Sequence, residues 1–212
     1  MMRNVYDLVP EIDTLPTRHR ESFGDLTGEE EFWELYELSK AYSMLHVTGF
    51  FNLYTAIRYV AAARIPGDVV ECGVLFGGSG IFAAKLLERL GETGRTLHLY
   101  DTFAGFPPGE VDRMLGQESI GPVYENFREA VDDNLAAAGV KGARLVEGPV
   151  ERTLVEEPLP QRIALLRLDT DFYNSTKAEL EHLYPRLSTG GVLIVDDYGY
   201  FEGSRRACDE FF

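Results

Sequence analysis

The stretch VVECGVLFGGSG, residues 69–80, decides the class of fold. Its first half is an apolar run typical of a buried strand, its glycines are typical of a tight turn, and Ser79 is a suitable N-cap for a following helix. The order strand, glycine-rich turn, helix is that of a nucleotide-binding turn in an open α/β sheet. It is not the dinucleotide fingerprint, because Leu75 stands where the spacing that begins at Gly73 requires glycine, and it lacks the Lys-Ser/Thr pair of a P-loop.

The same alternation continues along the chain and predicts parallel strands joined by helical crossovers. We expect strands at residues 68–73, 96–101, 143–148, 163–169 and 192–196. We expect helices at residues 79–90, 124–138 and 175–187, the first two ended by Gly91 and Gly139. The predicted fold is a Rossmann-like α/β domain over residues 67–212, with a mostly parallel sheet and helices on both faces.

Residues 1–66 are expected to form an N-terminal helical extension, with aromatic-rich amphipathic helices at 29–44 and 51–63. These helices are expected to pack onto the sheet, and a lid or a contact with a second copy is the functional alternative. Because residues 1–66 are rich in aromatic side chains, we expect a homo-oligomer. Residues 105–121 are rich in glycine and proline and are expected to be a long loop at the ligand edge.

The composition excludes several classes of protein. A net charge of −15 speaks against a nucleic-acid binder, which needs clustered Lys and Arg. We find neither a signal-peptide pattern nor the roughly 20 apolar residues that a membrane span needs, so a soluble cytoplasmic protein is expected. Cys72 is expected to be a small buried hydrophobe, and His98 a core residue rather than a metal ligand.

The strand predicted at residues 96–101, after the glycine turn, gives a second indication of a bound ligand. It ends at Asp101, and an acidic side chain there accepts hydrogen bonds from both hydroxyls of a ribose. Glu71 adds a negative charge just before the glycine turn, which matches a cationic ligand better than a pyrophosphate. An adenosine-containing, positively charged cofactor without a diphosphate is S-adenosylmethionine, which is therefore the expected cofactor.

Four carboxylates stand where two later strands end: Asp169 and Asp171, then Asp196 and Asp197. Because strand ends meet at one edge of an open sheet, we expect a hard-cation site, and carboxylate oxygens suit Mg²⁺ or Ca²⁺. The alternative is that each Asp is a helix cap or a turn former. Most of the charged residues of the next helix, His182 among them, are expected to face solvent; the four are Lys177, Glu179, Glu181 and His182.

Four longer runs resemble one family: GDVVECGVLFGGS, LYDTFAGFP, LDTDFYNSTKAELEHLYPRLSTGGVLIVDDYG and GSRRACDEFF. They are similar to the macrocin O-methyltransferases, class I S-adenosylmethionine enzymes that methylate sugar hydroxyls of natural products, with relatives acting on mycinamicin and on the noviose of novobiocin. The resemblance covers about residues 45–212. It implies Mg²⁺ ligands at Asp169, Asp196 and Asp197 and a general base at Asp171. The candidate cofactor-binding residues are Glu71, Gly73, Gly77, Ser79, Asp101, Thr102, Phe103 and Gly148.

The chemistry would act mainly on the acceptor, since a sugar hydroxyl is hardly ionised near neutral pH while the sulfonium methyl is already activated. Mg²⁺ would position and acidify one of two neighbouring hydroxyls of a glycosylated small molecule, and Asp171 would take the proton. Asp171 is predicted to lie two residues beyond Asp169 along an extended strand end, with both side chains on the same side.

Other functions stay open at this point: a catechol O-methyltransferase, a glycosyltransferase that uses Asp169-Thr170-Asp171 as its DxD motif, a phosphatase of the haloacid dehalogenase type, or a non-catalytic binding protein. Class I methyltransferases usually add an antiparallel hairpin after the helix that begins near Gly203. This hairpin is expected to be absent here.

Overall fold

The computed structural model describes residues 3–106, 111–114, 117–120 and 126–212, the two four-residue segments by their backbone. The helices are α1 Glu30–Ser39, α2 Val47–Ala62, α3 Gly78–Arg89, α4 Arg128–Ala137, α5 Val150–Glu156, α6 Tyr173–His182 and α7 Glu202–Phe211. The strands are β1 Asp68–Cys72, β2 Leu97–Asp101, β3 Val111–Met114, β4 Gln117–Ile120, β5 Arg144–Glu147, β6 Ile163–Leu168 and β7 Leu187–Val195.

Five strands form one sheet in the order β5-β2-β1-β6-β7, and every neighbouring pair is parallel. The chain moves outward from β1 to β2 and β5, then returns across the sheet to β6 beside β1. The strand order therefore reverses between β1 and β6, the place where ligands bind in open α/β sheets. All five carboxyl ends lie along the same edge.

The sheet separates two apolar cores, as the alternation of strands and helices predicts. Alternate residues such as Val69 and Leu165 belong to the core under α1, α2, α3 and α4. Val70 and Leu166 belong to the core under α5, α6 and α7. Each fully buried aliphatic side chain contributes roughly 1.5–3 kcal/mol relative to an exposed one. The expected α/β domain with helices on both faces is confirmed.

The N-terminal helices belong to the core on the sheet face of Val69, and their aromatic side chains contact one another and α3. Phe32 of α1 lies 5.3 Å from Phe51 and 6.0 Å from Phe82, between ring centroids. The residues before α1 form short 3₁₀ turns held by the buried Arg18, which donates to the carbonyls of Ser43 (3.0 Å) and Leu45 (2.8 Å). A movement of this extension as a lid stays a prediction.

Several predicted boundaries were wrong for identifiable reasons. Helix α3 begins at Gly78, because Gly77 with φ of +92° is its N-cap instead of Ser79. The helix expected at 175–187 ends at His182, since the proline-containing turn Tyr184–Arg186 follows. The segment expected to be one loop holds the antiparallel pair β3–β4. Residues 107–110, 115, 116 and 121 of that segment lie outside the described residues.

Two single-residue predictions are confirmed. Cys72 is fully buried with a free thiol. His98 is buried, and its Nε2 lies 3.0 Å from Asp68 Oδ2, so it is a bonded core residue. Among the described helices, none combines the length and apolarity needed to cross a bilayer.

Candidate active site

Three carboxylates meet at the carboxyl ends of β6 and β7. The sheet ladder continues one residue past each strand, with the Asp169 N–H donating to Cys72 O and the Asp196 N–H to Leu168 O, both at 2.9 Å. One oxygen each from Asp169, Asp196 and Asp197 lies within 4.8 Å of the other two. Ligand oxygens of an octahedral Mg²⁺ lie about 3–4 Å apart. The three side chains thus fit one hard cation after a small contraction.

A buried arginine side chain lies under this cluster, and its role was not predicted from the sequence. Arg167, 2% exposed, donates through Nη1 to Glu71 Oε1 at 2.7 Å. Its Nη2 lies 2.8 Å from Asp169 Oδ2 and 3.3 Å from Asp196 Oδ1, as close ion pairs without hydrogen-bond alignment. Arg167 therefore holds one oxygen of the Asp169 carboxylate and one of the Asp196 carboxylate. Its signal in the sequence is a charged residue inside an otherwise apolar strand.

Asp171 lies beside this cluster, but not along an extended strand. Strand β6 ends at Leu168, and Asp171 has a φ of +68° in a turn, so the predicted extended geometry was wrong. The turn instead brings the Asp171 N–H to Asp197 Oδ2 at 2.9 Å. The Asp171 carboxyl group also lies near enough to that of Asp197 to raise its pKa. The candidate base and a candidate ligand are thus in direct contact.

The electrostatics of the cluster favour a bound cation. Burial, then the nearby Asp171 carboxyl group, raise the pKa of Asp197 to about 9. Burial raises the pKa of Asp169 well above its usual range although Arg167 opposes the shift, and Asp196 and Asp197 add to it. A single guanidinium does not neutralise these acids. A divalent cation would relieve their repulsion and restore the ionised forms, so the donor set fits Mg²⁺.

The glycine turn meets the carboxylates at the point where the strand order reverses. Gly73 has a φ of +85°, and a Cβ built there would lie 1.8 Å from the carbonyl oxygen of Asp169. The space that a side chain at Gly73 would need is taken by the backbone of the residue that follows β6. The residue therefore allows the two strand ends to approach and places Asp169 in the crevice.

Asp101 organises the backbone around the glycine turn. Its Oδ2 accepts from the N–H groups of Val74 (2.6 Å) and Leu75 (3.0 Å), and its Oδ1 from the Phe103 N–H (2.8 Å) and the Thr102 hydroxyl (3.3 Å). A carboxylate has about four acceptor positions. A ribose hydroxyl would therefore have to replace one of these donors, and the contact with a ribose stays a prediction.

The other candidate cofactor residues lie around the same edge, with one exception. Gly148 follows β5, and its N–H donates to Asp101 O at 2.9 Å. Phe103 is fully buried, with a φ of +52°. Gly77 and Ser79 form the start of α3. The exception is Glu71, which is 3% exposed and bonded to Arg167, a position that suits support of the site rather than contact with a ligand.

Glu179 is an exception among the charged residues of α6, most of which are expected to face solvent. The side chain is completely buried on α6, and its Oε1 accepts from the Thr170 hydroxyl at 2.9 Å. Burial raises the pKa of Glu179 to about 8, with Asp197 and Glu151 adding to the shift and Thr170 opposing it. The buried residues of α6 around it include Ser175 and Thr176, so an apolar pattern did not mark this face.

Glu179→Gln should change how the stability of the metal-free protein depends on pH. The folded chain keeps a proton on Glu179 up to about pH 8, while the unfolded chain releases it near 4.5. Between these values the free energy of unfolding of the wild type should fall, relative to the variant, by up to about 1.4 kcal/mol per pH unit as the pH rises. Urea unfolding in EDTA at several pH values measures this difference. Parallel curves for the two proteins would contradict the raised pKa.

The matching family profile and the two relatives described next are all O-methyltransferases. The profile of a family described as Macrocin-O-methyltransferase (TylF) matches residues 28–212. The 8-demethyl-8-(2,3-dimethoxy-alpha-L-rhamnosyl)-tetracenomycin-C 4'-O-methyltransferase of Streptomyces olivaceus is 37% identical over 167 residues, 76% of this chain and 64% of that protein. The mycinamicin III 3''-O-methyltransferase of Micromonospora griseorubida is 33% identical over 167 residues, 74% of this chain and 65% of that protein. The chain thus spans just under two thirds of the length of these two relatives.

A solved structure is similar over most of the chain. The O-methyltransferase NovP is 30% identical, with a TM-score of 0.70 over 81% of this chain and 73% of that one. The predicted Rossmann-like fold of class I methyltransferases is therefore confirmed. Since the family profile covers everything from residue 28 onward, this chain belongs to the macrocin-O-methyltransferase family.

Proposed function

We propose that this chain acts as an S-adenosylmethionine- and Mg²⁺-dependent O-methyltransferase on a sugar hydroxyl of a glycosylated natural product. The observation that carries the proposal is the meeting of Asp169, Asp196 and Asp197 beside the Gly73 turn, where the strand order reverses. This arrangement would bring a cofactor methyl group and an acceptor oxygen into one crevice. The relatives' activities on glycosylated antibiotics support the acceptor class.

The carboxylates divide into two roles. Asp169, Asp196 and Asp197 would hold Mg²⁺, which when bound supplies a positive charge that orients and acidifies a neighbouring acceptor hydroxyl. Arg167 keeps the Asp169 and Asp196 carboxylates turned toward the crevice through its ion pairs. Asp171 takes the hydroxyl proton as the oxygen attacks the methyl group. S-adenosylmethionine would supply a methyl group on a leaving group that departs as a neutral thioether, so the chain's residues would have no further charge to stabilise.

Binding and turnover measurements test the proposal together. Isothermal titration should show S-adenosylmethionine binding to the folded chain, and methyl transfer to a glycosylated acceptor should fall at least about 100-fold in EDTA and return with Mg²⁺. Asp197→Asn should weaken Mg²⁺ binding while leaving cofactor binding intact. Asp133→Asn, an exposed change on α4, is the matched control.

Three outcomes would overturn the proposal or a part of it. A folded chain that binds no S-adenosylmethionine would favour the non-catalytic alternative. Full methyl transfer in EDTA would remove the role of the metal. Transfer to catechols but to no glycosylated acceptor would assign the same chemistry to the phenolic class instead.

A further inference from the structure

A buried acid outside the carboxylate cluster contacts the turn that carries two of its members. Thr170 lies between Asp169 and Asp171, and its hydroxyl donates to Glu179 Oε1 at 2.9 Å. Glu179 approaches from α6, on the sheet face of Cys72, and is completely buried. The proposed chemistry uses neither Glu179 nor Thr170. Their contact is therefore an unassigned link between α6 and the site.

The turn at Thr170 needs to be held in place. Asp171 has a φ of +68°, a left-handed conformation that costs a residue with a side chain roughly 1–2 kcal/mol. Other hydrogen bonds stabilise the turn in part: the Phe172 N–H donates to Thr170 O at 2.8 Å, the Asp171 N–H to Asp197 Oδ2 at 2.9 Å, and the Ser175 hydroxyl to Thr170 O at 3.3 Å. The Thr170 hydroxyl supplies an anchor directed away from the crevice, into the protein.

Two neighbouring residues of the turn, Asp169 and Thr170, are thus held from opposite faces of the sheet. Arg167 shares its face with Glu71 and pairs with Asp169. Glu179 holds Thr170 from the other face. Because burial keeps a proton on Glu179 near neutral pH, the residue adds no negative charge to a site already crowded with carboxylates. A leucine would fill the same space without the free-energy cost of burying a polar group, but it would offer no acceptor to the Thr170 hydroxyl.

We infer that Glu179 is a positioning residue that holds the turn of residues 169–171 through Thr170 and so sets the directions of the Asp169 and Asp171 carboxyl groups. The inference rests on the proposed function for its consequence in catalysis. The structural part, the hydrogen bond from Thr170 to Glu179, is separate and has a readout of its own.

Four variants test this role. Glu179→Ala and Thr170→Val each remove the bond, Glu179→Gln keeps an acceptor oxygen of the same shape, and Glu181→Ala is an exposed control on the same helix. In the metal-free protein, amide hydrogen exchange in the peptide spanning residues 168–173 should rise for the first two variants and stay at the wild-type rate for the other two. The Kd of Mg²⁺ should rise about 10–100-fold for the first two, while the affinity for S-adenosylmethionine stays unchanged.

The double variant Thr170→Val/Glu179→Ala should be no worse than either single variant, since both remove the same bond. Wild-type exchange and wild-type Mg²⁺ affinity in Thr170→Val would overturn the inference, even if Glu179→Ala fails to fold. A Glu179→Gln variant as impaired as Glu179→Ala would also overturn it. Absent methyl transfer in the wild type would sink the proposed function alone, because the exchange measurement still decides the role of Glu179.

Discussion

Gly73→Ala should abolish Mg²⁺ binding and destabilise the chain by more than about 4 kcal/mol, if the variant folds at all. A methyl group there would lie 1.8 Å from the Asp169 carbonyl oxygen and 2.6 Å from its carbonyl carbon. The two strand ends cannot easily move apart to remove this clash. The Gly73 N–H donates to Tyr100 O and the Asp169 N–H donates to Cys72 O, both at 2.9 Å, and a movement would break these bonds. The positive φ of Gly73 adds strain for any side chain.

Urea unfolding and isothermal titration with Mg²⁺ measure the two effects. Gly94→Ala is the matched control, since no atom lies within 4 Å of a Cβ built at that position. Its free energy of unfolding should stay within about 0.5 kcal/mol of the wild type. A Gly73→Ala protein with wild-type stability would show that β1 and β6 separate freely at this end.

The fold and the cluster of acids could be predicted from the sequence because both follow from local patterns. Apolar runs, glycine turns and carboxylates at strand ends need only the rule that parallel strands end at one edge. The purpose of Gly73 could not be predicted in this way. Its neighbour is the backbone of Asp169, and that contact exists only once β6 returns across the sheet to lie beside β1.

The supporting side chains were missed for a related reason. Arg167 pairs with Glu71 because the two are register partners on adjacent strands, which the sequence does not specify. Glu179 stands among serine, threonine and leucine on the buried face of α6, so the face has no clear apolar period. No sequence pattern predicts the left-handed conformation of Asp171 either, because the position carries no glycine. The conformation depends on two hydrogen bonds of the folded chain, from the Phe172 N–H to Thr170 O and from the Asp171 N–H to Asp197 Oδ2.

Asp171→Asn should lower kcat for methyl transfer by about 10²–10⁴-fold, the range that general-base assistance contributes. The amide has nearly the shape of the carboxyl group, and the backbone N–H of residue 171 still donates to Asp197, so the turn should persist. An amide cannot take the proton of the acceptor hydroxyl. Isothermal titration should therefore give wild-type affinities for S-adenosylmethionine and Mg²⁺, while the measured turnover collapses.

The pattern of losses separates a base from a ligand. Asp197→Asn removes a candidate ligand, so we expect its Mg²⁺ affinity and its turnover to fall together, whereas Asp171→Asn should lose turnover alone. Since the Asp171 carboxyl group raises the pKa of Asp197, the Asp171 variant also removes a negative charge from beside Asp197. This makes Asp197 easier to ionise and, if anything, a better ligand. Wild-type turnover in Asp171→Asn would therefore exclude this carboxylate as the base, while a parallel loss of Mg²⁺ affinity would make it a fourth ligand.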